Sequence, residues 1–199
     1  LTLAAELSVN GGHIVDASLG GTPVQAEAGQ LSAMIGCDEA VVERIRPVMS
    51  CWATSMTRVG EVGTGHKMKL LMNFIGLGYA ALFSEVVVLG AKVGIPPATI
   101  REVIAPSRMG NGFFNTFMAY VVDRDRDSHK FSLDNAAKDI RYLNDMAANA
   151  QMVNIMAGAA KHYYTHAVAC GHGSDYVPHL SDHVARLNGI DLEKIVTGK

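Results

Sequence analysis

The sequence predicts a mainly α chain with a partial α/β part, the helical portion being built on one long central helix. Three observations point there. Short strand-like and helix-like stretches alternate up to about residue 60; residues 65–93 then run without a proline; and every later apolar pattern repeats at helical spacing. Strands alternating with helices belong to an α/β sheet, whereas the second half offers no strand at all.

The elements follow in order. Leu3, Ala4, Leu7 and Val9 make a short helical face that stops at Asn10-Gly11-Gly12. His13 to Ala17 is extended and is broken by Gly20-Gly21-Thr22-Pro23, and Leu31 to Ile35 is a second apolar strand. Asp38 is placed to cap a helix that carries Val41, Val42, Ile45 and Val48, and Thr54 to Val59 forms a third strand. The glycine-rich VGEVGTG marks a domain boundary near Glu61, giving domains 1–61 and 62–199. The long helix ends before Pro96-Pro97, because proline disfavours helix in the residue before it. Further helices are expected at about 97–105, 111–122, 132–150, 153–169 and 176–187.

Composition narrows the function classes. With 49% apolar and 18% charged residues, the chain is globular and carries an apolar surplus that suits a large core or subunit contacts. A formal charge of -2 provides no basic face for phosphate, so no nucleic-acid partner is expected. Cys37, Cys51 and Cys170 lack framework spacing and read as reduced cytoplasmic thiols. The opening LTLAAELSVNGG is not a signal peptide, and a start without Met, midway through an amphipathic helix, reads as a truncation. Met68 to Ala91 holds only two charged residues, Lys69 and Glu85. Asn73 and Ser84 interrupt its apolar run, so a buried central helix is expected rather than a membrane span.

Burial makes Lys69 and Asn73 informative. They lie four apart and share a helix face, and lysine is seldom buried without a partner. Lys69 follows a glycine-rich turn where two domains would meet, a common place for ligands. The spacing alone favours the plainer reading of a lysine that snorkels to the surface from a helix end.

The segment Gly63-Thr64-Gly65-His66-Lys67-Met68-Lys69 followed by Asn73 resembles the G-x-G-x-x-x-K-x-x-x-N signature of the 3-hydroxyisobutyrate dehydrogenase family. That family includes tartronate semialdehyde reductase and is related to 6-phosphogluconate dehydrogenase. Upstream, Asp16-Ala17-Ser18-Leu19-Gly20-Gly21-Thr22 and Ala26-Glu27-Ala28-Gly29-Gln30-Leu31 are similar to its D-A-P-V-S-G-G…A-E-A-G-x-L segment. Downstream, Phe131 with Lys138-Asp139 resembles F-x₆-K-D, and Gly171-His172-Gly173 with Asp175 is a weaker echo. The blocks keep the family's order and spacing.

The resemblance implies that residues 1–61 are the C-terminal remnant of a Rossmann-type NAD(P)-binding domain and that 62–199 form the substrate and oligomerisation domain. It implies reversible oxidoreduction between a small 3-hydroxy acid and its semialdehyde or keto form, with NAD or NADP as cofactor. Lys69 would be the general acid and base at the reacting oxygen. A lysine does this work only when burial or a nearby cation draws its proton affinity toward neutrality, and Lys138 is the candidate cation. Lys138 would also lie beside the cofactor. Asn73 would hold the reacting oxygen near Lys69. Backbone N–H groups around Gly20, Gly21 and Thr22 would hold the substrate carboxylate. A homodimer or homotetramer is implied as well.

The family's serine falls on Gly20 and its proline on Ser18, and Gly21 stands where a sulfolactaldehyde-reducing branch has arginine. The substrate acid therefore stays open, while the reaction type does not depend on these positions. The Gly-x-Gly-x-x-Gly fingerprint that holds a pyrophosphate does not occur, so this chain alone is expected to bind dinucleotide poorly and to turn over little. Two alternatives remain. His162 with His166, and His179 with His183, are spaced four apart with His172 between the pairs, which could hold zinc; without H-E-x-x-H they read as surface histidines, and no metal site is expected. The other is a non-catalytic oligomerisation scaffold, against which the joint presence of Lys69, Asn73 and Lys138 argues.

Overall fold

A computed structural model describes residues 2–198. Its elements in chain order are α1 (Thr2–Ser8), β1 (Asp16–Gly20), α2 (Pro23–Glu27), β2 (Leu31–Gly36), α3 (Glu39–Met49), β3 (Ala53–Gly60) and α4 (Thr64–Lys92). The helices α5 (Pro97–Ile104), α6 (Gly112–Asp123), α7 (Leu133–Asn149), α8 (Ile155–Ala169), α9 (Leu180–Leu187) and α10 (Leu192–Thr197) follow. A 3-10 turn at Val177–His179 leads into α9. Two compact units divide within α4, one running to Met72 and the other starting at Asn73.

The first unit is a three-stranded sheet in the order β1-β2-β3, antiparallel between β1 and β2 and parallel between β2 and β3. β2 is central, and its apolar run LSAMIG is buried along almost its whole length, as expected of a strand covered on both faces. Ala33, Ile35 and Cys37 pack with Val41, Val42 and Met49 of α3 and with Ala53. Two expectations shift here. The first strand covers 16–20 rather than 13–17. In α3 the stripe runs Val42, Ile45, Met49 at helical steps, which leaves Val48 on the solvent side, 69% exposed. Asp38 is the cap residue of α3, as predicted, but its side chain makes no cap hydrogen bond. The Gly-Gly-Thr-Pro break does more than interrupt: Thr22 caps α2, with Pro23 in its first turn.

The second unit is helical. Phe83 of α4 meets Phe114 edge-on at 5.1 Å between ring centres and lies 5.7 Å from Phe117, so α6 packs on α4 through aromatic rings. From α8, the buried Tyr164 hydroxyl donates to the Leu77 carbonyl at 2.8 Å. Asn111 and Ser132 cap α6 and α7 with their side chains. The last predicted helix starts as the 3-10 turn, and α10, capped by Asp191, was not anticipated.

The long helix departs from full burial. It is apolar and long enough to cross a membrane by length and composition, and 39% of its most apolar window is buried. One face buries Leu77, Ala80, Phe83, Ser84, Val87 and Val88. The other exposes Ile75, Tyr79, Leu82 and Leu89, continued by Val93. Apolar residues surround this helix, whereas α6 and α8 cover one side of it.

Candidate active site

In the first unit Lys69 stands in the second turn of α4, half-buried, and the start of that helix is fixed by an acid. Asp16, at the head of β1 and 6% exposed, accepts from the Gly63 N–H at 2.6 Å and from the His66 N–H at 2.8 Å. The first N–H groups of a helix have no partner within it, and a carboxylate placed there also meets the positive end of the helix dipole. Contact this close requires glycine: a Cβ on Gly65 would lie 2.7 Å from Asp16 Oδ2. The Gly-Thr-Gly turn is thus the part of the signature that lets strand and helix meet, and Asp16 positions the turn that carries Lys69. The sequence reading used Asp16 only as the first letter of a motif; an acid inside the apolar stretch His13 to Ala17 was the available signal.

Gly20, Gly21 and Thr22 leave the end of β1. A side chain on Gly20 would strike Ser32 Oγ at 2.6 Å, and Gly21 has φ +133 with Leu31 pressed against the position of its missing Cβ. Thr22 is already engaged. Its N–H donates to Gln25 Oε1 at 2.8 Å and its hydroxyl accepts from the Gln25 N–H, a capping box. An anion cradle at this turn therefore has to use N–H groups other than that of Thr22. Ser18 is buried, two residues back on the same face of β1 as Gly20.

The second unit brings two of the expected residues together through a third. Asn73 Nδ2 donates to Asp139 Oδ2 at 2.6 Å, and Lys138 Nζ lies 3.4 Å from Asp139 Oδ1 and 3.4 Å from Asn135 Oδ1. The Asp139 side chain is 13% exposed, so its carboxylate locks the Asn73 amide and leaves that group one further N–H and its carbonyl oxygen. Lys138 also lines a cavity of about 460 Å³ with Arg141, Lys161, Asp134, Thr165 and Val168. Three cations against one carboxylate suit an anionic ligand, such as the phosphates of a dinucleotide. Asp139, which the sequence-based site did not include, is the residue that joins Asn73 to Lys138.

Elsewhere in this unit burial and hydrogen bonding shift several titratable groups. A hydrogen bond to Glu85 pushes the Tyr163 hydroxyl up to about 12. Burial pushes His129 and His179 below the usual histidine range. Burial, then His172 and Arg186, push His183 down to about 4.

Comparison with known proteins accounts for both units. Residues 63–180 match the family described as the NAD-binding domain of NADP-dependent 3-hydroxyisobutyrate dehydrogenase, and residues 2–60 match the NAD-binding domain of 6-phosphogluconate dehydrogenase. The chain is 39% identical over 108 residues to 2-(hydroxymethyl)glutarate dehydrogenase of Eubacterium barkeri, covering 54% of this chain and 36% of that one. It is 27% identical over 171 residues to 3-sulfolactaldehyde reductase of Escherichia coli K12, covering 86% and 57%. The crystal structure of 3-hydroxyisobutyrate dehydrogenase from Salmonella typhimurium superposes with a TM-score of 0.79 at 25% identity, over 91% of this chain and 64% of that one. The chain thus spans between about a third and two thirds of the length of these relatives, whose family uses NAD(P). The glycine turn before Lys69, the Asp16 tether and the paired family matches lead to one conclusion: this chain belongs to the 3-hydroxyisobutyrate dehydrogenase family.

Proposed function

We propose that the whole protein interconverts a small 3-hydroxy acid and its semialdehyde or keto form, with Lys69 as the proton-transfer residue. The observation that carries this reading is the network of Asn73, Asp139 and Lys138, beginning one helical turn beyond Lys69 on α4. The relatives' names each join a hydroxyl or aldehyde to an acid group, which fits a substrate held by its anion and reacting at its oxygen. Gly20 and Gly21 receive the carboxylate. The amide of Asn73, its rotamer set by Asp139, donates to the reacting oxygen and keeps it in line with Lys69. Lys69 gives that oxygen a proton in reduction and removes it in oxidation. Lys138, with Arg141 and Lys161, faces the anionic parts of the cofactor. The nicotinamide supplies or receives the hydride. The Rossmann-type part ends at 61 and the helical substrate domain begins at 62.

The test is an assay of the whole protein on a panel of small hydroxy acids with each cofactor, in wild type and Lys69→Ala. The variant should lose on the order of 10² to 10⁴ in turnover while cofactor affinity holds. Ordinary rates in the variant would remove Lys69 from the chemistry, whereas no turnover by the wild type with any acid and either cofactor would favour the scaffold reading. Without a Gly-x-Gly-x-x-Gly, the 199 residues alone should bind NADH or NADPH weakly; micromolar affinity by calorimetry would contradict this.

We also propose a homo-oligomer, in a cytoplasmic setting that accords with three free cysteines. Ile75, Tyr79, Leu82, Val86, Leu89 and Val93 recur at alternating steps of four and three, the seam of a helix that packs against another helix. A second copy of α4 covers this stripe. Leu82→Glu with Leu89→Glu should shift sedimentation to monomer; an unchanged oligomer would place the interface elsewhere.

A further inference from the structure

We propose that His172, Asp175 and His183 form a binding site for one divalent transition-metal ion, zinc by its donor chemistry, which ties the loop after α8 to α9. Each residue offers one ligand atom, and these atoms all lie within 4.8 Å of one another. Two imidazole nitrogens and a carboxylate oxygen are an ordinary donor set for zinc, which takes such ligands at about 2.0–2.2 Å. The sequence pairing was different. His179 stacks on Tyr120 at 4.0 Å between ring centres, and His183 instead meets the ring of His172 at 4.2 Å.

Three features make the cluster more than a chance meeting of polar groups. The loop carrying His172 and Asp175 is held in place from α7: the Leu133 N–H donates to the Asp175 carbonyl at 2.8 Å and the Asp134 N–H to the Gly173 carbonyl at 2.9 Å. Ser132 forms a bridge with Tyr176. Two ligands thus sit on backbone that is already positioned, so little ordering remains when an ion arrives. Next, His183 is 4% exposed, and its Nε2 is buried without a hydrogen-bond partner. Leaving a buried polar atom unmatched is unfavourable, and a metal bond would satisfy it. Finally, His172 and His183 line a cavity of about 300 Å³ with His166, Cys170, Arg186 and Leu187, so an ion has an approach and a place for water as a further ligand.

The Asp175 carboxylate lies 3.0 Å from His172 Nδ1, near enough to ligate beside that ring or to orient it. Arg186 opposes the site. Its Nη1 lies 3.4 Å from His183 Nδ1, yet the side chain is exposed and can turn to water once that nitrogen holds a proton.

The experiment uses the full chain, stripped with a chelator and titrated with Zn²⁺ by calorimetry, with Co²⁺ absorption reporting coordination. The expected result is one ion per chain, with a rise in melting temperature. His172→Ala, at a half-exposed position, and His183→Gln should each weaken binding by at least about tenfold, the scale of ligand-sphere changes. Arg186→Gln should tighten it, and His166→Ala with Cys170→Ser should leave it unchanged. Circular dichroism checks that each variant folds. Absence of stoichiometric binding, unchanged affinity in His172→Ala, or loss through the His166 and Cys170 pair instead would each overturn the proposal.

Discussion

The two units contribute to the proposed chemistry by different means. In the sheet unit glycine backbone does the positioning: Gly63 and Gly65 allow Asp16 to reach the start of α4, the helix that carries Lys69. In the helical unit the positioning lies in side chains, Asn73, Asp139 and Lys138, standing on helices fixed by large buried rings. The two means tolerate change differently. A glycine turn fails when a methyl group is added, whereas a side-chain network fails when its supporting core is thinned.

Thinning that core should give the largest effect. Phe117 is fully buried, and its ring packs with that of Phe83. Phe117→Ala should cost about 3–5 kcal/mol, the usual range for a large ring lost from a packed interior. A chemical-denaturation series would show it. A loss under 1 kcal/mol would mean that the helical unit does not depend on its aromatic layer, and the contrast between the units would weaken.

Asp16→Ala probes the other side. Two N–H groups at the start of α4 lose a charged acceptor, and such bonds contribute roughly 1.5–3 kcal/mol each before water replaces part of the loss. A net cost of about 2 kcal/mol is expected, read as faster amide exchange at Gly63 and His66. Asp16→Asn, which keeps an acceptor but not the charge, should fall between. Unchanged exchange in Asp16→Ala would show that the turn holds itself without the tether.

Legibility in the sequence follows the same division. Elements set by local rules were readable: β2 from its apolar run, α4 from the proline-free stretch ending before Pro96, and the Lys69 turn from its glycines. Features that depend on what lies across the fold were not. The apolar composition of α4 predicts burial on most sides, but covering a face needs neighbours, and composition does not say how many there are. Asp139 was legible only as the last letter of F-x₆-K-D, because nothing local shows that Asn73, 66 residues away, reaches it. His172 and His183 are eleven apart across a loop, a 3-10 turn and a helix start, so no periodic pattern joins them. Val48 is the exception, since the step from Ile45 to Met49 was visible and marked Val48 as outward.

The smallest expected effect concerns pH and belongs to the helical unit. His129 packs edge-on against Phe113 at 5.0 Å between ring centres, and burial holds it below the usual histidine value of 6.5. Because the folded-state value is the lower one, the stability associated with the neutral ring is intact above pH 6.5. It is lost as pH falls from there through the folded-state value, where the unfolded chain takes up the proton first. His179 and His183 shift in the same direction and add to the trend. The useful quantity is therefore a difference: the melting temperature should fall between pH 7.5 and 5.5, and less steeply in His129→Phe than in wild type. All three of these histidines lie in the helical unit, so protection from amide exchange, corrected for the intrinsic pH dependence of the rate, should fall with acid in α6 and α7 before it does in β2. Equal pH slopes in wild type and His129→Phe would show that the ring takes its proton in place, without loosening the contact with Phe113.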